Sequence, residues 1–187
     1  MPFRQIAFFL ALCLAACTSK PPAAFDLDPA VDFTPQHARR GQLAVGLPEA
    51  TKLIDSNRIV VRTGADSVAY LTGARWMQRL PPLVQARLIE SFQNAHVLRS
   101  VGPLGINADR TLNTEIRRFE VDVVSDKAFA EISATLVGAD GRVVATKTFS
   151  AEAPAPHDDA ATVTGALDKA LAEILHEIVV WAAPKAE

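Results

Sequence analysis

A cysteine is the side chain in this sequence best placed for covalent chemistry. The chain has two, Cys13 and Cys17. Cys17 follows Leu14-Ala15-Ala16, and both alanines are small enough for a peptidase groove. Arg4 supplies a basic start, and Ile6 to Leu14 is apolar apart from small residues and Cys13. A basic end, an apolar middle and a small-residue cleavage site make up a secretory signal. The run is too short for a membrane-spanning helix, which needs about 20 apolar residues. The other reactive groups are scattered. None of His37, His96, His157 and His176 pairs with another at metal-ligand spacing. His37 and His157 read as solvated loop residues, and His176, beside Glu173 and Glu177, as a surface position. Asp158-Asp159 has the look of a ligand pair, but acids before an apolar-periodic stretch are explained more simply by helix capping. Strand alternation puts Arg117 and Arg118 on opposite faces, so they form no anion clamp. There is no phosphate loop, serine elbow or zinc helix. Gly102, Gly105 and Gly141 are too dispersed for a dinucleotide fingerprint. The expectation is no catalytic, cofactor or metal residue. One cluster is left, in which Tyr70, Trp76 and Met77 interleave with Arg75 and Arg79. Arginines and aromatics are enriched at binding hot spots. The simpler reading packs Trp76 under a helix, with Arg75 and Arg79 solvating its rim.

Leu14-Ala15-Ala16-Cys17 resembles the lipobox of bacterial lipoproteins. That resemblance implies cleavage between Ala16 and Cys17 and a diacylglyceryl group on the Cys17 sulfur. One acyl chain holds a protein only marginally, whereas two or three make attachment effectively permanent. Thr18, in place of the aspartate that marks inner-membrane retention, implies the periplasmic face of the outer membrane. The mature chain then has no free thiol, which suits an oxidising compartment. Charge speaks against two classes of partner. The chain is formally −2, or −3 once Arg4 is lost, with pI near 6.1, so it lacks the electrostatic footprint of a nucleic-acid binder, and its sequence shows no basic patch obvious enough to bind anionic lipid headgroups.

Three segments are expected: a signal at 1–16, the lipidated cysteine with a flexible tether at 17–40, and a globular domain at 41–187. Prolines and acids dominate the tether, with Phe25, Leu27 and Phe33 placed either to dock or to hang free. At 49% hydrophobic residues the remainder can bury one core. Leu43–Leu47 reads as a strand, and 58–62 with 67–71 as a β-hairpin insert around Gly64. Pro81 or Pro82 opens a helix whose stripe is Val84, Leu88, Phe92 and Ala95. Val97 to Val101 is extended. Leu112 to Val124 is a long strand in which Ile116 is out of phase with Phe119, hinting at a bulge or burial on both faces. Ala128–Val137 and Val143–Phe149 flank Asp140-Gly141, a pair suited to a type I′ turn. Ala153-Pro154-Ala155-Pro156 breaks the sheet. A last helix carries Val163, Leu167, Ala170, Leu171, Ile174, Ile178 and Trp181. The fold class is α/β (α+β): one domain, a mixed, largely antiparallel sheet of about five strands and two packed helices.

Order and spacing carry a second resemblance. The strand ending Leu47-Pro48, Asn57-Arg58-Ile59-Val60-Val61-Arg62, Tyr70, Arg75-Trp76 with Leu80, and the helix from Leu83 to Phe92 lie behind the lipobox in the order seen in the ABC-type transport auxiliary lipoproteins. These accompany Mce-domain lipid transporters of the paraquat-inducible type. The resemblance implies a role without catalysis. A separate cytoplasmic ATPase supplies energy, and the partners are an Mce-domain subunit that bridges the periplasm and its ABC permease/ATPase system. Homo-oligomerisation is left open. The alternative is an envelope-maintenance lipoprotein that binds a β-barrel or peptidoglycan.

Overall fold

The computed structural model describes residues 21–34 and 40–186. Ala16, Cys17 and His37 lie outside them. The elements are β1 (Ala23–Phe25), β2 (Gln42–Val45), β3 (Glu49–Ala50), β4 (Arg58–Gly64), β5 (Ser67–Trp76), α1 (Leu80–Ala95), β6 (Ser100–Pro103), β7 (Arg110–Asp122), β8 (Lys127–Gly138), β9 (Val143–Pro154) and α2 (Ala160–Ala182), followed by a 3-10 turn at Ala183–Lys185.

One strand organises the sheet. β8 runs antiparallel along the whole of one side of β7, from Arg110↔Gly138 to Asp122↔Lys127, and β9 continues beyond β8. Three short strands share the other side of β7, all parallel to it. β2 pairs at Leu43↔Arg110, β3 at Glu49↔Glu115 and β4 at Val60↔Glu120. The sheet therefore forks, with β6 outside β2 and β5 then β1 outside β4. Among the described residues it has nine strands, not the expected five or so, and it is mixed, with β1, β2, β3, β4 and β6 all in parallel pairings. The miscount has a physical cause. β1, β3 and β6 hold two to four residues each, too few for alternation to register, and their pairing is set by the length of β7.

The phase change in β7 is a bulge. Ile116 pairs with Ile132 and Arg118 with Glu131, leaving Arg117 as the extra residue. Leu112 and Ile116 before it, and Phe119 and Val121 after it, all point into the core. The same bulge corrects the reading of the two arginines. Arg117 reaches Glu131 while Arg118 lies over the Phe129 ring, so both stand on the outer face.

At the β8–β9 hairpin, the Gly141 N–H donates to the Gly138 carbonyl (2.9 Å), and Gly141 alone takes a positive φ, 79°. This is the three-residue loop closed by a left-handed glycine rather than a type I′ turn, which needs two positive φ values. β9 runs through Ala153 to Pro154, further than expected. Proline is tolerated there because, among the described residues, β9 is an edge strand paired only with β8.

The helices cover the inner face. The stripe of α1 is buried as expected, and Leu80 and Leu83 are buried with it. Its first turn carries no side-chain cap. Pro81 and Pro82 have no N–H to satisfy, and the Leu80 N–H donates to the Ser56 carbonyl (3.0 Å). In α2, Asp159 accepts from the N–H groups of Ala161 (3.0 Å) and Thr162 (3.1 Å), as its capping role requires.

Residues 21–34 belong to this packed unit, which therefore begins before residue 41. β1 pairs with the outer side of β5, and the chain then runs along the seam between α1 and α2. Leu27 and Ala30 are buried. The Asp28 N–H donates to Asp168 Oδ1 (2.7 Å), the Ala30 N–H to Ser91 Oγ (2.8 Å), and Asn94 Nδ2 to the Ala30 carbonyl (3.2 Å). Phe33 stacks on the His176 ring at 4.8 Å.

Candidate functional site

The sequence cluster around Trp76 is divided by the fold. Trp76 is a core residue, 1% exposed, tilted against Phe119 with centroids 5.9 Å apart. Arg79 is held by Asp55 through Nε (3.0 Å) and Nη2 (2.6 Å). Tyr70 and Arg75 stay together at the surface. The Tyr70 hydroxyl donates to the Leu53 carbonyl (3.3 Å), and its ring lies 3.5 Å from the Arg58 guanidinium carbon. Arg58 is a neighbour that sequence spacing did not single out. It is brought there by the β4–β5 pairing, which sets Arg58 opposite Arg75.

A second group sits on the open sheet face. Glu120 is only 5% exposed although it points away from the helices. Arg62 Nε (2.9 Å) and Arg118 Nε (2.7 Å) both donate to its Oε1, and Arg62 Nη2 donates to Oε2 (3.2 Å). Burial alone would raise this carboxyl. The hydrogen bonds and charges of Arg62 and Arg118 outweigh it and hold the group below the usual 4.5. The Arg62 guanidinium is raised in turn, chiefly by its bond to Glu120. Beside this trio an open groove of about 440 Å³ is lined by Arg118, Phe129, Glu131, Ser150, Glu152 and Glu173, among others. The trio is a self-satisfied ionic knot, and its arginines already have a partner.

The remaining candidates are placed as follows. His96 ends α1 in the left-handed region at φ 51°, and His157 is exposed. His176 is half-buried against Phe33, not a plain surface residue. Asp168 is half-buried under the arm. Burial raises its carboxyl above the usual 3.8, and the charges of Asp28 and Asp26 add to this. The Asp28 N–H and the Arg87 charge oppose it without prevailing. Among the described residues no three His, Cys, Asp or Glu side chains converge to hold a metal, and no helix is long and apolar enough to cross a membrane. What the fold presents is a docked arm, an open polar sheet face and a free edge at β9.

These features define a class, a forked α/β domain with an N-terminal arm docked on its helices. The sequence profile of the ABC-type transport auxiliary lipoprotein components matches residues 25–179, and the chain belongs to that family. The match starts within the docked arm. The crystal structure of protein XCC0632 from Xanthomonas campestris is similar with a TM-score of 0.80 and 29% identity, covering 87% of this chain and 95% of that one. A second crystal structure, of an uncharacterised protein, shares the fold at a TM-score of 0.67 and 15% identity, covering 90% of this chain and all of that one. The uncharacterised protein bll6063 of Bradyrhizobium diazoefficiens is 31% identical over 143 residues, or 74% of this chain. The chain spans only 38% of that relative's length.

Proposed function

We propose that the protein is a non-enzymatic accessory subunit of an ABC/Mce-type intermembrane lipid transport system. It is anchored through acyl chains on Cys17 to the periplasmic face of the outer membrane, where it docks the periplasm-spanning Mce-domain subunit. Family membership carries this reading. The lipobox-like Leu14-Ala15-Ala16-Cys17 supports the anchor. The long uncovered face of β7, β8 and β9, with a free edge at β9, supports a role in holding another protein. Energy would come from the separate cytoplasmic ATPase that works with the system's permease.

The test is affinity purification of the tagged chain from detergent-solubilised envelopes of its host. An Mce-domain protein should co-purify. Recovery of a β-barrel or peptidoglycan fragments in its place would favour the envelope-maintenance reading. The anchor is tested separately. Cys17→Ala should move the protein from the membrane to the soluble fraction, and intact mass should show a diacylglyceryl adduct on wild type only. A Cys17→Ala chain that still sediments with membranes would sink the anchor.

A further inference from the structure

The start of the arm lies in a groove formed by an irregular stretch of β5. Arg58 pairs with Arg75 and Val60 with Tyr70, so the single residue Ile59 faces the four residues Leu71 to Ala74. The excess chain loops outward through Gly73, at φ 76°, a conformation that favours glycine. The resulting groove, about 320 Å³, is lined by Pro22, Arg58, Tyr70, Thr72, Gly73 and Arg75, among others. Arg58 and Arg75 are directly opposed across the strands, an arrangement that disfavours like charges. Among the described residues neither has a carboxylate within 4.0 Å, whereas Arg62, Arg79, Arg87, Arg117, Arg118 and Arg142 all do. The nearest support for Arg58 is the face of Tyr70. Two arginines at paired register positions, lining one groove and without a carboxylate partner, suit an anion shared between them.

Chain length supplies the second half of the argument. Pro22, in the groove wall, is five residues from Cys17. Even fully extended, that stretch reaches no more than about 18 Å. A tether spanning 17–40 would have let the domain roam, but the docked arm shortens it to this length. The groove must then stay within about two Debye lengths of the bilayer that holds the acyl chains.

We infer that the Arg58–Arg75 groove binds the phosphate of an anionic lipid headgroup in the anchoring bilayer, and so fixes which side of the domain faces the membrane. This rests on the Cys17 anchor proposed above. The opposite end of β7, with the β8–β9 hairpin, is left pointing elsewhere for partners.

The test uses the mature lipidated chain in phosphatidylcholine vesicles with or without phosphatidylglycerol. With the Cys17 sulfur occupied by lipid, an introduced cysteine is the sole free thiol. A fluorophore on Thr72→Cys should be quenched by headgroup-labelled lipid, and more strongly when phosphatidylglycerol is present. The same label on Ala139→Cys, at the hairpin tip, should show no such dependence. Arg58→Gln/Arg75→Gln should cut the phosphatidylglycerol-dependent quenching by about fivefold or more, from the worth of each basic residue at an anionic surface. Arg58→Lys/Arg75→Lys should keep most of it. The glutamine pair relieves a like-charge contact, so a thermal midpoint at or above that of wild type verifies that it folds. If the labelled chain floats with vesicles but the glutamine pair quenches as wild type does, the groove assignment is wrong and the anchor stands. If the wild-type chain does not float, the anchor itself fails and takes the groove with it.

Discussion

Two carboxylates at opposite faces of the molecule are pushed in opposite directions. Glu120, on the open face of the sheet, is less exposed than Asp168, in the seam under the arm, yet its carboxyl is lowered while that of Asp168 is raised. The difference lies in their partners. Glu120 has two guanidiniums within 3 Å. Asp168 has one backbone N–H and two acids nearby, Asp26 and Asp28, and Arg87 compensates only in part. Burial sets the cost of charge, but the neighbours decide whether the charge survives it. The sheet face is thereby locked by charge, and the arm is held mainly by apolar burial and backbone hydrogen bonds.

The strongest way to break the comparison is Glu120→Ala. Removing one member of a buried ion pair typically costs 3–5 kcal/mol. Here Arg62 and Arg118 are 29% and 36% exposed, so they rehydrate in part. We expect a loss of about 2–3 kcal/mol in global stability by urea unfolding, from the lost charged hydrogen bonds and the stranded guanidiniums. The sign with pH is fixed by the depressed value. The contribution of Glu120 is fully present above the ordinary 4.5 and is lost as pH falls through its lower folded value. Wild type should therefore lose more stability than Glu120→Gln on acidification below that point. Equal acid sensitivity would show that the knot does not contribute.

Leu27→Ala probes the arm and should have the next largest effect. Large-to-small changes at buried leucines cost about 2–5 kcal/mol. Leu27 is 1% exposed but sits in a segment able to open without the core, so a value at the low end, about 2–3 kcal/mol, is expected. Hydrogen exchange should locate it. The Asp28 and Ala30 amides should open roughly 30- to 150-fold more often, while amides in β7 and β8 stay as they were. If the β7 amides accelerate equally, the arm is part of the global unit and the two regions are not separable. Ser91→Ala should weaken the same segment by about 1 kcal/mol, since Ser91 Oγ accepts the Ala30 N–H and donates to the Arg87 carbonyl.

The legibility of the sequence follows the same division. Long periodic elements were readable. The stripe of α1 is buried as expected, as is that of α2 apart from the partly buried Trp181, and of the two readings of the phase slip between Ile116 and Phe119 the bulge is the one observed. Simple alternation across that slip puts Arg117 and Arg118 on opposite faces, whereas the extra residue turns both outward. The parallel fork was invisible, since Glu49-Ala50 has no pattern of its own and becomes a strand only where β7 offers an edge. The arm was half legible. Leu27 is an apolar residue among prolines and acids, and nothing local says whether it docks. Its groove is built from Ser91, Asn94 and Asp168, polar residues that look solvated on a helical wheel. Arg58 opposite Arg75 was hidden by three extra residues in β5, which defeat any count of register from the Gly64 turn.

Asp168→Asn sharpens the comparison with the smallest expected effect. Asparagine keeps an oxygen to accept the Asp28 N–H and removes the charge that burial and Asp26 and Asp28 oppose. A carboxyl raised in the folded state binds its proton more readily there than in the open state. The penalty for holding Asp168 ionised is thus complete above its folded value, relieved as pH falls through that value, and gone below the ordinary 3.8. The arm of wild type should close more tightly on mild acidification, the reverse of the trend at Glu120. Asp168→Asn should match or slightly exceed wild-type protection of the Asp28 and Ala30 amides at neutral pH. It should lose most of the pH dependence once the intrinsic pH dependence of exchange is subtracted. A variant that retains the wild-type slope would show that the Asp168 carboxyl is not what makes closure of the arm depend on pH, and the seam would then be governed by packing of Leu27 and Ala30 alone.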